Sequence, residues 1–185
     1  MQFFVTCLVA LAIAPTPAAP SASPTPPDLK NMMVYGDGFA FFVREPDGWV
    51  GHAPSDVGLG NASFYSSTEN AKTATTIISV QIMDYDGPDV EGDLTADMAR
   101  WRAKYSTSTF EDLTATNPRY KTFGKLYLTP GEDPSYAVYV DPGPATKLYF
   151  IVSMEPPKRR ATPDELAALD EVVTSLQLLT ASVSH

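Results

Sequence analysis

The only cysteine of this 185-residue chain, Cys7, lies in an apolar run that ends before the first charged side chain, Asp28. A chain that loses this run on maturation has no cysteine. It can form no disulfide and offers no thiolate nucleophile or cysteine metal site. Such a domain must be stabilised by a buried core, and about 155 residues are enough for one core in one domain.

The run from Phe3 to Ala14 has the length of a signal-peptide core. It is shorter than the roughly 20 apolar residues that span a bilayer, and Pro15, Pro17 and Pro20 stop it from continuing. The expected organisation is a signal peptide over 1–22, a proline-rich linker over 23–31, a single α+β domain over 32–180 and a disordered tail over 181–185. The protein is expected to be exported, periplasmic or extracellular, with no stable membrane span. Its net charge of −9 does not suit phosphate backbones or anionic lipid. The run Lys158-Arg159-Arg160 reads as a solvated loop.

Period-two alternation marks the strands. Phe39, Phe41 and Val43 alternate with Ala40, Phe42 and Arg44, and Asp37-Gly38 closes a hairpin back to Met32–Tyr35. Pro46-Asp47-Gly48 turns the chain and delivers Trp49. Further strands are expected at Ala62–Ser66, Thr75–Tyr85, Tyr120–Leu128, Tyr136–Val140 and Thr146–Met154. Leu94, Met98, Trp101 and Tyr105 form one helical stripe, with Asp93 as the expected cap. Thr162-Pro163-Asp164-Glu165 is a capping box that opens a second helix, with Leu166, Leu169, Val173 and Leu176 as its buried stripe. Both tryptophans, Trp49 and Trp101, are expected in the core. Strands and helices do not alternate regularly, so the class is α+β: a mostly antiparallel sheet flanked by two main helices.

The segments Gly38-Phe39-Ala40-Phe41 and Pro46-Asp47-Gly48-Trp49 carry a family resemblance. So do the strand Tyr149-Phe150-Ile151-Val152 and the helix running into Val173-Thr174-Ser175-Leu176-Gln177-Leu178. In these the chain resembles the PsbP-like family, named for an extrinsic subunit of photosystem II. That family includes a Ran-binding nuclear transport factor and many small exported bacterial proteins. The resemblance implies an α-β-α sandwich and a binding or scaffolding role, and it brings no catalytic residue with it.

Asp84, Asp86, Asp89, Glu91 and Asp93 form the densest polar cluster, and a hard cation such as calcium prefers several carboxylate oxygens on one loop. The spacing is not that of an EF-hand, so the loop is a weak metal candidate and no cofactor is expected. His52, near Asp47, Ser55 and Asp56, lacks a nucleophile elbow and reads as a surface histidine. Paired carboxylates remain open as the basis of a secreted hydrolase or lyase, with or without calcium.

The binding candidate is a tyrosine–lysine ladder. Tyr127, Tyr139 and Tyr149 fall on alternate positions of the three late strands, with Lys125 and Lys147 two residues before the first and last rings. Amphipathic rings flanked by cations suit a partner surface. The competing arrangement places a helix over this face and the rings in the core, as a sandwich requires. The expected function is a non-enzymatic binding or accessory module. Its expected partner is a protein or small ligand of the cell envelope, with no role in binding nucleic acid.

Overall fold

A computed structural model of the chain describes residues 31–53, 60–69 and 72–179. The expected signal peptide, the linker as far as Lys30 and the tail lie outside these residues, as do Ser55 and Asp56. The chain runs β1 (Asn31–Gly36), β2 (Phe39–Arg44), β3 (Trp49–His52), β4 (Ala62–Ser66) and β5 (Ile77–Asp84). Helix α1 (Val90–Lys104) follows, then β6 (Thr109–Leu113), β7 (Lys121–Leu128), β8 (Ser135–Asp141) and β9 (Leu148–Met154). Helix α2 (Pro163–Ser175) and β10 (Gln177–Leu179) complete it.

The strands form two sheets rather than the single one expected. The larger has seven strands in the order β3-β4-β5-β9-β8-β7-β6, and the smaller has the order β1-β2-β10. All strand pairs are antiparallel, so the α+β class holds. The Asp37-Gly38 turn closes β1 on β2, and Gly38 takes the positive φ of 76° that such a turn needs.

Alternation sorts the large sheet into two apolar layers. Ile78, Val80, Val138, Val140, Phe150 and Val152 face the main core, and α2 and the small sheet close it through Ala168, Leu169, Val172, Phe41 and Val43. Phe41 meets Phe150 edge to face at 5.2 Å between centroids. On the opposite face Tyr127, Tyr139 and Tyr149 pack under Val90 and Leu94 of α1. The result is a helix, a sheet, and then a layer shared by a helix and a smaller sheet.

Local chemistry corrects several expectations. Helix α1 starts four residues before Leu94, at Val90, capped by Asp89, whose Oδ1 accepts from the amide of Gly92 at 2.8 Å. Asp93 lies inside the first turn, buried, accepting from the amide of Asp86 at 3.2 Å. Helix α2 has the expected capping box but ends at Ser175; Leu176 is already extended and leads into β10. Strands β3, β6 and β10 have no counterpart among the expected strands, being short and lacking a long alternating run. Trp49 and Trp101 are half-buried against the two apolar layers rather than enclosed by them. The Trp101 indole keeps a bond of 2.9 Å to Thr129 Oγ1.

Candidate ligand cleft and exposed sheet face

The three tyrosines share one face, and that face is not open. Tyr127, Tyr139 and Tyr149 are only 3%, 4% and 5% exposed. Helix α1 lies over them because its own stripe, Val90 and Leu94, has nowhere else to go. Tyr85, Tyr149 and Tyr139 stack, with centroids 5.7 and 5.9 Å apart. Tyr127 Oη donates to Asp97 Oδ2 at 2.8 Å, and Tyr85 Oη donates to Asp141 Oδ1 at 2.7 Å. Burial first, and then the nearby carboxylates and, for Tyr127, the Tyr139 phenol, hold the phenols of Tyr85, Tyr127 and Tyr139 well above their usual range and push Tyr149 up to about 12. The rings are therefore a second core layer, not a partner surface. Lys125 is paired with Asp112 across β6 and β7, and Lys147 is exposed just before β9.

The acidic loop does not gather its carboxylates. Asp84, Asp86, Asp89 and Glu91 are exposed, Asp89 is used as a helix cap, and Asp93 is turned inward. Among the described residues no group of three or more His, Cys, Asp or Glu side chains is placed to hold a metal ion. His52 lies on β3 opposite Ser63 of β4, exposed.

The structure brings other residues together. On the small sheet the register sets Asn31 beside Arg44, Met33 beside Phe42, and Tyr35 beside Ala40. Gln177 and Leu179 of β10 extend the last two rows. The alternate residues Val34, Phe41, Val43 and Leu178 point into the core, so this set points out. Met33 and Tyr35 are exposed there, Tyr35 by 60%.

Where this outward face meets the end of α2, a cleft of about 650 Å³ opens. Phe42, Arg44 and Gln177 contribute from the sheet, Asp170, Glu171, Thr174 and Ser175 from the helix, and Arg119 from the loop before β7. Ser175 Oγ accepts from the amide of Arg44 at 2.9 Å, which fixes strand against helix. Asn117 fixes the loop. Its Nδ2 donates to the carbonyls of Val173 at 2.6 Å and Leu176 at 3.1 Å, and its Oδ1 accepts from the amide of Arg119 at 2.8 Å.

The charges in the cleft are unevenly used. Asp170 accepts from the amide of Thr116 at 3.2 Å and Glu171 from that of Asp47 at 3.4 Å. Among the described residues, neither the Arg44 nor the Arg119 guanidinium makes an ion pair. A second cleft, of about 440 Å³, includes Trp49 and Thr76, but its arginine, Arg159, is already bound to Glu165 through both nitrogens at 2.6 and 2.7 Å. A third open area remains on the large sheet where α1 does not reach: Val50, Ile77 and Met83 are exposed on β3 and β5.

Sequence reasoning missed the Arg44–Arg119 cleft. Arg44 was visible at the end of a strand, but Arg119 joins it only through the loop that Asn117 ties to α2.

No known family matches the sequence, and no curated protein sequence matches it either. Among solved structures the chain is similar to a protein of Bacteroides thetaiotaomicron VPI-5482, at 14% identity and a TM-score of 0.46 over 84% of this chain. The chain spans half the length of that protein. It is also similar to cyanobacterial PsbP (CyanoP) from Synechocystis sp. PCC 6803, at 18% identity and a TM-score of 0.46, covering 87% of this chain and all of that one. A third similar structure is a point mutant of the protein Mog1, at 13% identity and a TM-score of 0.49, covering 80% of this chain and 96% of that one. PsbP-like structures are thus among those the chain resembles, and at these identities the likeness assigns no activity.

Proposed function

We propose that the protein is an exported, non-enzymatic binding or accessory module that works in the periplasm or outside the cell. Its binding surface is the outward face of the small sheet with the adjoining cleft. One observation carries this reading: Arg44 and Arg119 line a cleft without an ion-pair partner among the described residues, in a chain of net charge −9, next to exposed Met33 and Tyr35. Two guanidiniums that line one cleft suit an anionic group brought from outside. The acids at the cleft favour binding over catalysis, because Asp170 and Glu171 accept bonds from backbone amides. The charge-free apolar start supports export. No helix among the described residues is long and apolar enough to cross a membrane.

The test compares the native protein with Tyr35→Asp and Arg44→Glu in capture from the extracytoplasmic fraction. A partner retained by the native protein and lost from both variants is the expected result. Identical capture by all three would move the surface elsewhere. N-terminal sequencing that finds Met1 on protein from the cytoplasm would sink the export.

A further inference from the structure

The cleft beside Arg44 and Arg119 has the shape and charge of a site for one kind of small molecule. We propose that it takes a monoanionic amphiphile, a carboxylate head on an apolar tail. This rests on the reading of the small-sheet face as a binding surface.

The head is argued from the arginines. A guanidinium presents a planar fork of donors that fits a carboxylate with two parallel bonds. Arg44 and Arg119 both line the cleft, and neither guanidinium is ion-paired among the described residues. Their backbones are held, Arg44 by Ser175 at 2.9 Å and Arg119 by Asn117 at 2.8 Å, so a ligand would not have to order the strand or the loop.

The α2 side of the cleft limits the charge of that head. Asp170 and Glu171 line it, and it lies at the end of α2, where the helix dipole is negative. The last turn of α2 holds no basic residue, and its carbonyls are met by the neutral amide of Asn117. A dianion such as a phosphate monoester also gives up far more hydration on entering a cleft that holds two carboxylates, whereas a single carboxylate satisfies the arginines at lower cost.

The tail is argued from space and surface. A cleft of about 650 Å³ is far larger than a bare carboxylate needs. Phe42 lines it, and the register continues from Phe42 to Met33 and on to exposed Tyr35. An apolar strip that leads out of a charged cleft matches a ligand that is charged at one end only.

The experiment is a chemical-shift titration of the nitrogen-labelled 185-residue chain with octanoate, acetate, octylammonium and octyl phosphate. Octanoate is expected to shift the amides of Asn31, Phe42, Arg44, Arg119 and Gln177 saturably. Acetate should bind at least about tenfold more weakly for want of a tail, and octyl phosphate more weakly than octanoate. Arg44→Gln and Arg119→Gln should each weaken octanoate about tenfold with unchanged melting temperature. Any of four results would overturn the inference: no saturable octanoate shift, shifts mapped away from these residues, octylammonium or octyl phosphate binding as tightly as octanoate, or arginine variants that bind it unchanged. Face-dependent partner capture without octanoate binding would overturn this inference while leaving the binding-face reading standing. Octanoate binding at the cleft without a captured protein would support a small-molecule ligand alone.

Discussion

Thr76 and Glu165 stand 89 residues apart and meet through a bond of 2.7 Å from the threonine hydroxyl to Glu165 Oε1, beneath the start of α2. The same carboxylate accepts from both terminal nitrogens of Arg159 and closes the capping box on the amide of Thr162 at 2.7 Å. It therefore joins the large sheet, the preceding loop and the helix. Arg159 first, and then the Thr162 and Thr76 bonds, lower the carboxyl to about 2.

A carboxylate depressed in the folded state stabilises the fold above its unfolded value, near 4.5, and loses that contribution as pH falls toward its folded value. Unfolding free energy should accordingly drop between about pH 5 and pH 2, by about 2 kcal/mol from this group. Glu165→Gln should be less stable at neutral pH and show a flatter acid limb in urea unfolding. A variant with an unchanged acid slope would exclude Glu165 as the acid-sensitive group.

Asn117 closes α2 from outside the helix. Three carbonyls at its end, those of Val173, Thr174 and Leu176, accept from one side-chain amide. Asn117→Ala leaves carbonyls without that donor in a half-buried setting, at a cost of about 2 kcal/mol. Asn117→Asp should be worse, because a carboxylate faces those carbonyls with no N–H to give. Urea unfolding of the two variants checks the order Asn, Ala, Asp; an aspartate variant as stable as the native chain would contradict it.

The parts of the fold legible in the sequence were those set by local periodicity. The alternation of Tyr149 to Val152 and the capping box at Thr162 gave correct strands and a correct helix start. Alternation also put Tyr127, Tyr139 and Tyr149 on one face. It carries no information about what covers a face, and α1 covers this one. The split into two sheets was hidden for a similar reason. It depends on β10 joining β2 at Gln177↔Phe42, a pairing between opposite ends of the chain. The cleft is the extreme case, since Arg44 and Arg119 share no local pattern. The asparagine that positions Arg119 reads in sequence as an ordinary loop residue.

Calcium should leave the melting temperature unchanged. The candidate ligands Asp84, Asp86, Asp89 and Glu91 are exposed to solvent, and Asp89 is engaged on the amide of Gly92. A site with a micromolar dissociation constant, at a thousandfold excess of calcium, would add about 4 kcal/mol. Thermal melts in calcium and in chelator would reveal a shift of that size. A large rise with calcium would establish a site on this loop.

The tyrosine layer should set the alkaline limit of the fold. Tyr127 donates to Asp97, and burial beside that carboxylate raises both its own phenol and that of Tyr139. A group whose folded value is raised contributes stability that is fully present below its unfolded value, near 10, and is lost as pH rises beyond it. In an absorbance titration these phenols should ionise only together with loss of near-ultraviolet circular dichroism, when α1 lifts from the sheet. Tyr127→Phe removes the bond to Asp97 while keeping the ring that meets Trp101 at 5.3 Å and Phe110 at 5.1 Å. It should cost about 1–2 kcal/mol at neutral pH, since Asp97 loses a donor, and should soften the alkaline transition because one raised phenol is gone. Tyr127→Ala should cost about 3–5 kcal/mol, because the cavity would open between α1 and three strands. If all the tyrosines ionise reversibly with the fold intact, the layer is more open than its burial implies, and the ladder face would return as a candidate surface.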